Sequence, residues 1–156
     1  MKRWAWYLLA LAAVAIVGGR PFSGDDVARL QPVEVIQVHA FKSGIQVLTD
    51  TGDFGVGATL EEAFADLKKV SPGKIFLETA EYVLVTPGAE ELLLELSEYL
   101  RAGCGVCQVE GEVDLREVAR YFTVHPPKVT LGDCRAEGQS PQILLAQEGR
   151  MEFAEK

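Results

Sequence analysis

Helix-start signals followed by apolar stripes, with short β-branched runs between them, restrict this chain to folds that pack helices on a sheet. Thr59-Leu-Glu-Glu62 sets a hydroxyl and a carboxylate at capping-box spacing, with Thr59 as N-cap. Leu60, Ala63, Phe64, Leu67 and Val70 then recur at i, i+3, i+4, i+7 and i+10, one face of a helix that Ser71-Pro72-Gly73 ends. Asp114-Leu-Arg-Glu117 repeats the signal, followed by Leu115, Val118, Ala119 and Phe122 and closed by Pro126-Pro127. Between the two, Thr86-Pro87 predicts a third helix start, because proline at the first position forfeits no hydrogen bond. Leu92, Leu93, Leu96, Tyr99 and Leu100 supply its inner side and Gly103 its stop.

Residues 33–41 and 45–49 are rich in β-branched side chains and flank Lys42-Ser43-Gly44, the pattern of a β-hairpin. Asp50-Thr51-Gly52-Asp53 predicts a second turn, and residues 54–57 a short third strand. Runs at 75–77, 82–85, 106–110, 129–131, 143–146 and 151–153 predict further strands, with a polar connection over 132–141. Residues 82–85 suit a strand buried on both faces. Residues 25–30 predict one helical turn that stops before Pro32. The expected fold is α/β, with α+β as the alternative: a mixed sheet and about three packed helices, preceded by an apolar N-terminal helix.

That N-terminal helix carries the targeting information. Lys2 and Arg3 precede an apolar run from Trp4 to Val17, and Gly18, Gly19 and Arg20 follow. Charge, apolar stretch and small residues come in the order of an export signal. The chain therefore divides into a signal or anchor segment, 1–24, and a single extracytoplasmic domain, 25–156, with the Lys-Arg end left in the cytoplasm. Two fates stay open. Retained, residues 4–19 span about 24 Å against a hydrocarbon core of about 30 Å, with Trp4, Trp6 and Tyr7 as an interfacial belt. Cleaved after the small-residue pair Val17 and Gly19, the domain is secreted.

Residues 25–156 hold all 23 Asp and Glu against 12 Lys and Arg, a formal charge of −11. Such a surface repels nucleic acid, and no basic run able to neutralise phosphates interrupts it. The expected partners are the membrane, through residues 4–19, and other membrane or envelope proteins, with nucleic acid excluded.

Cys104-Gly-Val-Cys107 is the most specific chemical motif, since a C-x-x-C dithiol is equipped for thiol–disulfide exchange. Redox sites of the thioredoxin type place the motif at a helix N-terminus, where the dipole favours the thiolate. Here it follows a helix and enters a strand. It reads as a reduced pair or an exported disulfide, with Cys134 free or an alternative partner to either thiol. His39, His125 and Cys134 show no paired spacing that would complete a zinc site, so no metal or other cofactor is expected. Gly52-Asp-Phe-Gly55-Val-Gly57 ahead of a capped helix suggests an anion loop, but it lacks lysine and lies beside Asp50 and Asp53. Those aspartates also lack the alternating ligands of a calcium loop. There is no Gly-x-Ser-x-Gly elbow, and Glu90, Glu91, Glu95 and Glu98 form a solvated helix face. The leading expectation is a non-enzymatic binding or assembly domain. An exported thiol–disulfide protein using Cys104 and Cys107 is the alternative, and a hydrolase built on an unrecognised carboxylate pair a third.

Read in order, several motifs resemble the N-terminal domain of Ger(x)C proteins, the C subunits of bacterial spore-germination receptors. They are the strand over 33–38, Gly57-Ala-Thr-Leu-Glu-Glu-Ala63 opening a helix, Val83-Leu-Val85, and the Leu-rich helix reaching Tyr99-Leu100-Arg101. Residues 106–111, Asp114-Leu115 and Gly149-Arg-Met-Glu-Phe153 complete the series, which spans most of residues 30–153. Members of that family are typically lipoproteins with a cysteine just after the signal, whereas the first cysteine here is Cys104. They also carry further domains. The resemblance implies a non-enzymatic exported protein facing the membrane of a spore-forming bacterium, and it assigns no ligand-binding residue.

Overall fold

Seven strands form one sheet in the order β4-β3-β2-β6-β7-β8-β9, in a computed structural model that describes residues 30–110, 113–147 and 150–154. The chain divides into Met1–Leu30 and Gln31–Lys156, and the fold described is that of the second unit. The expected apolar helix over residues 4–19, and the helical turn over 25–30 apart from Leu30, lie outside the described residues. Among the described residues no helix is long and apolar enough to cross a membrane.

β2 (Val35–Phe41), β6 (Tyr82–Val85), β7 (Gly105–Glu110) and β8 (Gln142–Gln147) run parallel at the centre. The antiparallel strands β3 (Gly44–Thr49) and β4 (Phe54–Gly57) extend one side, and β9 (Arg150–Phe153) the other. The sheet is mixed, as the hairpin start implies. A separate two-stranded sheet pairs β1 (Leu30–Pro32) with β5 (Lys74–Phe76).

The described residues form four α-helices: α1 (Leu60–Val70), α2 (Leu93–Leu96), α3 (Leu115–Val124) and α4 (Leu131–Glu137). At α1 the Thr59 hydroxyl accepts the Glu62 N–H at 3.2 Å, while the Glu62 carboxylate reaches back to the Ala58 N–H at 2.8 Å. α3 starts at Asp114, whose carboxylate accepts the Arg116 N–H at 2.9 Å. Two elements differ from expectation. Thr86 caps no helix, because its side chain turns back to the Val38 carbonyl (3.4 Å). The chain then turns through Gly88, passes one 3₁₀ turn at Glu90–Leu92 and makes only the four-residue α2. Second, 129–131 is no strand. Thr130 opens α4 through a reciprocal cap, its hydroxyl accepting the Asp133 N–H at 3.2 Å and the Asp133 carboxylate accepting the Thr130 N–H at 2.9 Å. α4 stops at Gly138, in the left-handed conformation that glycine adopts freely.

Side chains alternate across the sheet and divide the core in two. On one face α1, α2 and α4 bury Ile36, Val38, Val47, Val83, Val85 and Val106 beneath Phe64, Leu67, Leu96 and Leu131. On the other, α3 alone covers Val35, Leu84, Cys107, Val109 and Leu144 with Leu115, Val118 and Phe122. β6 contributes to both clusters, as expected of a strand buried on both faces. α3 lies across the strands: Arg116 reaches the Asp50 carbonyl beside β3, and Tyr121 and Phe122 meet Phe153 of β9.

Candidate functional site

Strand parity separates the cysteines. Cys104 packs in the cluster under α1, α2 and α4, whereas Cys107 packs in the cluster under α3. Both side chains are fully buried, and burial pushes both thiols up to about 12. Arg101 opposes the shift at Cys104 only in part. Cys134, on α4, shares the Cys104 cluster, and its thiol is raised by burial and by the neighbouring Asp133. All three are free thiols. The fold thus sets Cys104 and Cys134 on one face of the sheet and Cys107 on the other, with no thiolate poised at a surface.

The glycine-rich segment has a packing explanation. A side chain at Gly55 would strike the Ala63 carbonyl and the Leu67 amide, and one at Gly57 would strike the Ala63 amide. α1 therefore lies directly on the backbone of β4, which fills the space an anion would need. Asp66 of α1 accepts the Val56 N–H at 3.0 Å, occupying one amide on the outer edge of the strand.

The histidines are far apart in role as well as sequence. His39 lies on β2 stacked against Phe41 (5.9 Å), its basicity lowered by burial. His125 caps the C-terminus of α3 and packs on Tyr121 (5.0 Å). Among the described residues no group of three or more His, Cys, Asp or Glu is arranged to hold a metal ion.

Three carboxylates that sequence spacing could not bring together, Glu34, Asp50 and Glu81, line a depression of about 380 Å³ with Thr79. The Asp50 carboxylate accepts the Glu34 N–H (3.2 and 3.4 Å), and the Glu34 carbonyl accepts the Glu81 N–H (2.9 Å). Burial, then the charges of Glu81 and Asp50, raise the Glu34 carboxyl above the ordinary carboxylate value. Asp50 is thereby committed to holding the start of β2, which leaves its oxygens partly spent as acid or base.

A cleft of about 740 Å³ opens at the start of β8. Residues 128–129 before α4 and 140–141 after it form its sides, and Gln108, Ile143 and the end of β9 complete it. Val129, Pro141, Ile143 and Ala154 make it largely apolar, and among the described residues Lys128 is the one charged residue in the lining. The Gln142 side chain accepts the Lys128 N–H at 2.6 Å, which fixes the wall to the strand. Elsewhere the sheet leaves Phe41 (57 % exposed), Phe54 (49 %) and Val56 (50 %) open to solvent on the face of α3.

No family model, curated protein or solved structure matches the chain. The Ger(x)C resemblance therefore rests on the sequence motifs alone.

Proposed function

We propose that this chain is an exported, membrane-tethered binding or assembly domain without catalysis of its own. The observation that carries this reading is the cleft at β8: a largely apolar concavity of about 740 Å³, in the range of small-molecule sites, with one charged group among its described residues. The uncharged strip at Phe41, Phe54 and Val56 adds a surface suited to assembly with other envelope proteins. The Ger(x)C resemblance extends the reading to sporulation or germination in a spore-forming bacterium. Tethering rests on residues 4–19, with secretion after cleavage near Gly19 as its variant.

The thiol–disulfide alternative is disfavoured by buried, poorly acidic thiols on opposite faces of the sheet. The hydrolase reading has Glu34, Asp50 and Glu81 in its favour, against an Asp50 already engaged by backbone. Expression of the full chain in a bacterium, followed by N-terminal sequencing of each fraction, tests export and tethering. Intact Met1 in membranes supports the tether. A new terminus near Arg20 on soluble extracytoplasmic protein replaces it with secretion, and intact chain in the cytosol defeats both. Insulin reduction, or glycoside hydrolysis lost in Glu34→Gln, would overturn the non-catalytic reading.

A further inference from the structure

We propose that the cleft at β8 binds a small amphiphile carrying a single carboxylate, its apolar body against Ile143, Val129 and Pro141 and its anionic end at Lys128. The inference rests on the binding reading above and adds the class of ligand. Apolar walls select an apolar body, because burying Ile143, Val129 and Pro141 beneath another apolar group removes both surfaces from water. Among the described residues, the same cleft offers hydrogen-bonding groups at Gln108 and Ser140 and a positive charge at Lys128 alone. Among the described residues no carboxylate lines it, although residues 25–156 carry nearly twice as many acidic as basic side chains. Among the described residues a cationic amphiphile would find no counter-charge there, and a polyanion would find only one. The remaining combination is an apolar molecule with one negative end.

Construction of the site supports a fixed binding position. Gln142 holds the backbone of Lys128 to the start of β8, and the Thr130–Asp133 cap holds the next turn. The wall bearing Lys128 and Val129 is therefore anchored at both ends, which lowers the ordering cost of binding. The free carboxylic acid and the carboxylate end of a hydrophobic peptide share this chemistry.

The test uses the full chain in nanodiscs of zwitterionic phosphatidylcholine, with ¹³C-labelled isoleucine methyl groups. Ile143 reports from the cleft, and Ile36, Ile45 and Ile75, all in the core cluster under α1, α2 and α4, are internal controls. Three water-soluble probes sharing one phenylpropyl body are titrated: 4-phenylbutyrate, 3-phenylpropan-1-ol and 3-phenylpropylamine. The expected result is a saturable Ile143 shift with each neutral or anionic probe, the carboxylate binding about fivefold tighter than the alcohol and the amine weakest. Lys128→Glu should abolish the carboxylate's advantage, leave alcohol binding unchanged, and leave the three control methyls in place as proof of folding. Equal affinity for carboxylate and alcohol, or an advantage that survives Lys128→Glu, overturns the carboxylate assignment while the cleft remains a binding site. Failure of every probe to move Ile143 overturns the assignment and the binding reading together. A tripeptide Gly-Gly-Phe against its C-terminal amide then separates the peptide source from the free acid: a carboxylate-dependent Ile143 shift assigns the peptide end, and its absence the free acid.

Discussion

Cys104 and Cys107 show how one spacing changes meaning with the element that carries it. On a helix, residues three apart share a face. In and beside a strand they face opposite ways, which sends these thiols into two separate clusters. That parity is readable from a strand over residues 106–110, but the burial behind the thiol shifts is not, because it depends on α3 and α4. With both thiols raised to about 12, neither holds an appreciable thiolate at pH 8. Ellman's reagent at that pH should label the native protein slowly and all three cysteines rapidly in guanidinium. Fast native labelling of Cys104 or Cys107 would show the burial to be wrong. Glu34 gives a second test. Its folded carboxyl holds a proton more tightly than the unfolded one, so ionisation costs stability as pH rises through the carboxylate range, and the deficit persists at pH 7. Glu34→Gln should therefore raise Tm at pH 7, with the gain fading near pH 3, where both states of the wild type are protonated. A lower Tm at pH 7 would contradict the repulsion from Glu81 and Asp50.

At the scale of elements, strands were the most legible because β-branched runs bounded by turn residues leave few alternatives. The hairpin over β2 and β3, the short β4, and strands β6 to β9 stand within a residue or two of their expected places. Helix starts were legible only where cap and apolar stripe agreed, as at Thr59 and Asp114. Thr86-Pro87 had the cap residues, but its threonine is drawn off by the Val38 carbonyl and Gly88 turns the chain before a helix can begin. Thr130-Leu-Gly-Asp133 holds a usable cap that the sequence pattern obscures, since Gly132 weakens the helical pattern and only Leu131 and Cys134 are buried. The two threonines should separate accordingly. Thr130→Ala should cost about 1 kcal/mol, by loss of a true N-cap. Thr86→Ala should cost less than about 0.5 kcal/mol, by loss of one long contact. Urea titrations with unchanged m-values check both, and the reverse order would restore Thr86 as a helix cap.

Across the whole molecule, a mixed sheet with packed helices followed from the sequence but the division of helices between faces did not. Three helices share one face, so the loss of any contact there is spread among neighbours, whereas the second core depends on α3 alone. Phe122 is the largest fully buried side chain of that helix and touches both Tyr82 and Phe153. Phe122→Ala should lower unfolding free energy by about 3–5 kcal/mol. Because β2, β6 and β7 feed both clusters, far-UV circular dichroism and near-UV tyrosine signals should still fall in one coincident transition. The candidate site was the least legible part, since Gln108, Lys128 and Ile143 meet only through β7–β8 pairing and the turn into α4. The Asp66 carboxylate on the outer edge of β4 has a consequence at this scale too. Proteins held on one surface meet their neighbours at high local concentration and in similar orientations, conditions that favour strand exchange between copies. With the Val56 amide already taken, a neighbour joining that side of the sheet would have to displace Asp66 from it.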